Sequence, residues 1–162
     1  WRAGEWTKLI PSFPHLPIMS RQREYPTRPI AGVGVMIRDG ERYLLIKRAA
    51  NPDKGLWSVP GGLVEVGERI EDAAVREALE ETCLNVELVK RLGVVDKIEH
   101  DEKGEVYYHF VIIQYLAVVK SGDMCPMDDA LEAEWVTLDQ LKDYKLTNSL
   151  KDFLIDIGMY PS

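Results

Sequence analysis

The strongest constraint on this chain is a turn, Pro60-Gly61-Gly62, that runs into a helix-forming segment carrying Glu68, Arg76, Glu77, Glu80 and Glu81. At about 100° of rotation per residue, Glu77, Glu80 and Glu81 share one face of a helix. Ala74, Val75, Ala78 and Leu79 fall on the other side, so the helix can pack on a sheet while its acidic side faces a cleft. Two carboxylates ~5 Å apart repel by roughly 3 kcal/mol at an effective dielectric near 20, so three of them call for a cation. Arg76 is a single charge at the edge of the face. Hard oxygen ligands in that number suit Mg²⁺, or Mn²⁺ in its place. A carboxylate-rich helix can also be a plain solvated face paired with basic residues. The turn favours a site, because Gly61 and Gly62 let backbone approach a metal or a phosphate closely.

Residues 62–84 closely resemble the signature of the Nudix hydrolases. Gly62, Glu68, Arg76, Glu77, Ala78, Glu80, Glu81 and Leu84 fill that pattern in register. Cys83 departs from it, standing where the family has glycine. A β-carbon in a left-handed cap costs ~1–2 kcal/mol, and Asn85 is expected to take that role instead, leaving the metal site intact. The resemblance implies an α/β/α sandwich with a mixed central sheet, and hydrolysis of the diphosphate bond in a nucleoside diphosphate linked to another moiety. It further implies that Glu77, Glu80 and Glu81, with the Gly61 backbone, hold the metal. Glu68 then orients the cluster, Arg76 fixes a glutamate, and Glu80 or a carboxylate on a later loop takes the proton from the attacking water. Glu132 is the first candidate for that later carboxylate and Glu105 its rival.

The substrate is encoded outside the signature. Residues 56–65 look like the ADP-ribose branch, so ADP-ribose or a related sugar nucleotide leads. A nucleoside triphosphate pyrophosphohydrolase acting on damaged nucleotides follows, and a nucleotide-sensing module without turnover is the alternative of another class. Arg48, Lys54 and Gly62 are candidates to meet phosphate oxygens, with Trp57 lining a base or sugar pocket. Solvated charges and core packing are the plain readings of Arg48, Lys54 and Trp57.

At 162 residues the chain has the length of one domain, with a net charge of -7. An acidic surface argues against nucleic acid or an anionic membrane as partner, and leaves a nucleotide as the expected one. The apolar run at residues 111–119 contains Gln114 and is too short to span a bilayer, so it reads as a buried strand. Cys83 and Cys125 fit no metal spacing and are expected as free thiols in a reducing compartment, which points to the cytoplasm. A homodimer is the expected assembly.

Residues 1–29 hold five of the nine prolines and read as an extended arm, ahead of a domain over residues 30–162. Met19 offers a natural start, which would make residues 1–18 upstream or vector-derived sequence. Residues 30–37 and 42–47 read as a hairpin about Asp39-Gly40. Gly32 and Gly34 are expected to serve close strand packing. Strands are expected over 85–98, 106–120 and 132–137, with a loop at 123–130 carrying Met124, Cys125, Pro126 and Met127. A short helix is expected to end near Tyr144, and a last one over 148–157, capped by Thr147, bears the apolar stripe Leu150, Phe153, Leu154 and Ile157.

Overall fold

The fold is seen in a computed structural model that describes residues 23–125 and 130–162. The proline-rich arm up to residue 22, with Trp1, Trp6, Phe13 and Met19, lies outside the described residues, as do Pro126 and Met127.

Strand β1 (Ile30–Asp39) is the centre of the sheet, and Val33, Val35, Met36 and Ile37 on it are buried. Burial on both faces follows from its apolar run, which does not alternate. A turn at Gly40 leads into β2 (Arg42–Arg48), but β1 and β2 pair only at Arg38↔Tyr43 and Asp39↔Arg42. Two short strands come next, β3 (Trp57–Ser58) on β2 and β4 (Gly61–Leu63) on β1. Strand β4 takes the same edge of β1 that β2 has left, at Gly32↔Leu63 through Gly34↔Gly61. The sheet therefore splits along one edge of β1, and the split opens the site described below.

On the other edge, β6 (Val106–Ser121) runs parallel to β1 and pairs antiparallel with β5 (Asn85–His100). The order is β3-β2-β1-β6-β5, with β7 (Ala130–Thr137) antiparallel to β2. One parallel pair among antiparallel ones makes the sheet mixed. Helix α1 (Ile70–Thr82) covers one face and α2 (Asn148–Asp156) the other, giving the α/β/α layering expected from the sequence. Alternation along the strands feeds both layers. Val35, Ile37 and Leu44 pack with Ala73, Ala74 and Ala78 of α1, while Met36 and Leu45 pack with Leu150 and Leu154 of α2. Thr147 caps α2, accepting from the Leu150 amide at 3.3 Å. The segment Leu138–Asp143 before it is a 3-10 helix.

Three sequence expectations are corrected here. Leu79 is 43% exposed whereas Glu81 is 7% exposed, so the buried face of α1 is rotated away from Leu79 and toward Glu81. Cys83 itself adopts the left-handed cap, with φ 63°, while Asn85 opens β5. Finally, Cys83 and Cys125 form a disulfide, with Cα atoms 5.5 Å apart, and are not free thiols. Their separation of 42 residues hid this proximity. The β5–β6 hairpin returns the chain to the end of α1, where the Cys125 amide donates to the Thr82 carbonyl at 2.9 Å.

Candidate active site

The turn before α1 and the acidic face of α1 meet at the split in the sheet. Arg76 lies at the middle of the carboxylates rather than at their edge. Its Nε and Nη2 donate to the two oxygens of Glu68, at 2.6 and 3.0 Å, a bidentate pair. Nη1 donates to Glu77 Oε1 at 2.8 Å and to Glu80 Oε2 at 3.1 Å, and Nη2 also reaches the Leu63 carbonyl at 3.0 Å. One guanidinium thus ties the loop, the strand β4 and two residues of the helix together. Glu68 also accepts from the Glu65 amide at 2.9 Å, which fastens the loop to itself.

The carboxylates differ by environment. The Arg76 guanidinium holds the Glu68 carboxyl down at a pKa of about 2, helped by the Glu65 amide. Burial pushes the Glu77 carboxyl up, against the pull of Arg76. Arg76 is held further above its ordinary range by Glu68, opposed by its own burial and supported by Glu77. Glu81 is buried, and its Oε2 accepts from the Gly61 amide at 3.1 Å. Glu80 is the open member, with a side chain 49% exposed against 13% for Glu77.

A cavity of about 200 Å³ lies against this group. Glu77, Glu81, Gly61 and Gly62 form one end of its lining. Gly62 is required by contact, since a β-carbon there would stand 2.3 Å from the carboxyl carbon of Glu77. Basic side chains, Arg23, Arg48 and Lys97, line other parts, and Ile46, Phe110, Ile112 and Leu150 supply apolar wall. Arg48 is braced by donating from Nε to the Pro52 carbonyl at 2.8 Å, and Lys97 by an ion pair with Asp53.

Carboxylates and a backbone turn at one cavity end are oxygen donors of the kind that Mg²⁺ or Mn²⁺ takes. Glu68, Glu77 and Glu80 are bonded to Arg76, and Glu81 lines the cavity with Glu77, so the group carries more negative charge than one guanidinium neutralises. The donor set therefore fits a divalent cation in kind and in charge. Among the described residues no three acidic, His or Cys side chains converge on one point, because Glu77 and Glu80 are turned to Arg76.

Other residues singled out from the sequence lie elsewhere. Trp57 is buried in the core beneath α2, edge-on to Tyr144 at 5.1 Å, and is absent from the cavity lining. Lys54 is exposed and also outside that lining. Glu132 pairs with Lys47 at 2.9 Å on β7, and Glu105 is exposed at the β5–β6 turn, where its amide donates to Asp101. Neither lines the cavity. Conversely, Arg23, Lys97 and Gln114 line it without having been singled out as site residues. Lys97 carried no signal in an alternating strand; Gln114 did, as a polar residue inside an apolar run.

Residues 28–157 match the NUDIX domain family. The chain is 40% identical over 113 residues to an ADP-ribose pyrophosphatase of Methanocaldococcus jannaschii, covering 70% of this chain and 64% of that protein. It is 36% identical over 74 residues to a protein of Bacillus subtilis called a putative 8-oxo-dGTP diphosphatase, covering 46% of this chain and 48% of that one. The matches thus span less than two thirds of either relative. The crystal structure of a MutT NUDIX hydrolase from Burkholderia pseudomallei superposes with a TM-score of 0.70 at 35% identity, over 79% of this chain and 97% of that one. With its loop, helix and sheet arranged as described and the family match covering most of its length, the chain belongs to the Nudix family.

Proposed function

We propose that the protein hydrolyses the diphosphate bond of a nucleoside diphosphate linked to another moiety, with ADP-ribose or a related sugar nucleotide as substrate. The observation that carries this reading is the placement of Glu77 and Glu81 beside Gly61 and Gly62 at one end of a cavity whose other walls bear Arg48 and Lys97. Such a cavity offers oxygen donors for a metal, cations for phosphate oxygens and apolar surface for a base. The archaeal relative's name agrees with it.

In this reading Glu77, Glu80, Glu81 and the Gly61 backbone hold Mg²⁺, or Mn²⁺. The bound ion supplies charge neutralisation at the phosphates and a lowered pKa for water. Arg76 and Glu68 are positioning residues: their bidentate pair sets where Glu77 and Glu80 point. Glu80, the most exposed carboxylate of the group, accepts the proton of the attacking water. Arg48 and Lys97 orient the diphosphate, and the Gly62 backbone approaches it. Glu132 and Glu105 have no part in this reading, because neither stands with the carboxylates around Arg76: Glu132 is paired with Lys47 on β7 and Glu105 lies at the β5–β6 turn.

A product assay with Mg²⁺ on ADP-ribose, other sugar nucleotides, dinucleoside polyphosphates, and normal and oxidised nucleoside triphosphates tests it. AMP plus ribose phosphate is the expected result. Monophosphate plus pyrophosphate from a triphosphate would instead support the second reading, which the Bacillus relative's name favours. Binding without turnover across the panel would leave a sensing module. We also propose a homodimer, supported by the exposed Val89, Val94 and Ile98 on the edge strand β5. Light scattering at the monomer mass would refute it.

A further inference from the structure

Gln114 has no role in the chemistry outlined above. It stands in the middle of β6, in register with Gly34 of β1, which faces Gly61 of β4 across the next ladder. Two strand spacings, roughly 10 Å, therefore separate its backbone from the turn that contacts Glu81. Its side chain is 5% exposed and lines the cavity that Glu77 and Glu81 also line. The carboxamide lies flat on Gly34. A β-carbon at Gly34 would come within 2.2 Å of Oε1 and 2.6 Å of Nε2, so glycine there makes room for this amide. Oε1 is nevertheless buried without a hydrogen-bond partner among the described residues. A buried, unpaired carbonyl oxygen weakens the fold, and an apolar residue in an apolar strand would avoid that cost.

We propose that Gln114 is a specificity-determining residue whose Oε1 accepts a hydrogen bond from the nucleoside part of the substrate. The inference rests on the functional reading above. An acceptor needs a donor, and ionised phosphate oxygens have no hydrogen to give. The nucleoside offers two kinds, ribose hydroxyls and a base amino group. Phe110 and Ile112 precede Gln114 on the same face of β6 and line the same cavity, where they provide apolar surface for a base next to the acceptor. A site with a buried group left unpaired by the wrong ligand discriminates more strongly than an apolar pocket does.

The test compares the parent protein with Gln114→Met, which keeps the length of the side chain and removes its acceptor. Steady-state kinetics are measured with Mg²⁺ on ADP-ribose, on its 2′-deoxy and 3′-deoxy forms, and on the hypoxanthine analogue that lacks the amino group. The variant is expected to lose about tenfold in kcat/KM on ADP-ribose, mostly through KM, as one neutral hydrogen bond implies. On the analogue lacking the donor that Gln114 meets, parent and variant converge. That analogue separates a hydroxyl from an amino donor. Thermal unfolding of the variant without ligand is expected at or above the parental Tm, which a merely structural glutamine would not give. An equal loss on every analogue, or no loss on any, overturns the proposal; so does a Tm that falls while specificity is unchanged. If the parent cleaves a nucleoside triphosphate and not ADP-ribose, the functional reading fails, and the same comparison on that triphosphate and its deoxy and deaminated forms decides the role of Gln114. Calorimetric titration with AMP reads the contact without turnover: about tenfold weaker binding to the variant supports it, and equal or undetectable binding to both proteins counts against it.

Discussion

Glu68 and Glu77 are bonded to the same arginine, yet their environments push them in opposite directions. Glu68, held at a pKa of about 2, binds its proton less readily in the folded protein than in the unfolded chain. Its contribution to stability is therefore complete above the ordinary glutamate pKa near 4.3 and is lost as pH falls toward about 2. Acid unfolding followed by circular dichroism should show a steeper loss between those limits for the parent than for Glu68→Gln. Glu77, raised by burial, has the opposite sign, and protonates at a higher pH than an ordinary glutamate. A divalent cation competes with that proton, so the acid limb of the activity profile should move to lower pH as Mg²⁺ is increased. Removing the charge altogether by Glu77→Gln should reduce hydrolysis by roughly a hundredfold or more in the product assay, with the fold retained. Glu77 was legible from its type and its helical spacing with Glu80 and Glu81, whereas Glu68, on the loop before α1, was legible only through the family signature. The resemblance implied only that Arg76 fixes a glutamate; that this glutamate is Glu68 was not legible, because eight residues of loop and helix separate the partners. Trp57 was misplaced, since position beside a loop says nothing about which face of β3 reaches the core, and Lys54, on the loop before β3, is exposed away from the cavity.

At the scale of the element, the end of α1 combines a cost with a compensation. Cys83 holds a left-handed φ of 63°, which costs a residue with a β-carbon ~1–2 kcal/mol. Its disulfide to Cys125 closes a loop of 42 residues, worth about 4 kcal/mol on the loop-entropy estimate. The second term is larger, so Cys83→Gly should lower stability by about 2–3 kcal/mol in urea unfolding without reductant. With dithiothreitol present the order should invert, because the variant keeps the relaxed cap and the parent has lost its link. Thiol titration of the unfolded parent before and after reduction checks the premise, with reactive thiols expected only afterward. The disulfide was invisible in the sequence for the same reason that the position of Asn85 was misjudged: both depend on where the β5–β6 hairpin returns. The α2 cap at Thr147 and its apolar stripe were readable in advance, as local features are.

For the whole molecule, the arrangement that matters is a sheet whose central strand changes partners. Strand β1 pairs with β2 at one end and with β4 at the other, and the gap becomes the cavity. Helix α1 brings Glu77 and Glu81 to it, and β5 and β6 bring Lys97, Phe110 and Gln114 to its walls. Chelation should accordingly abolish turnover without unfolding the protein, since the core layers do not depend on the carboxylates; thermal melts with EDTA beside the activity assay check this. No helix among the described residues is long and apolar enough to cross a membrane. The sequence by itself determined the chemistry-bearing helix, the periodicities that set the strands, and the class of the fold. Those depend on residue type, on spacing within one element, or on a signature of contiguous residues. Only the tertiary structure decided that Arg76 sits at the centre of its carboxylates, that Cys83 meets Cys125, and that Gln114 faces the same cavity as Glu77. The first ties the helix to the loop before it and to β4, and the other two join residues from different elements; such contacts depend on how the sheet is ordered and split, which no local pattern of side chains records.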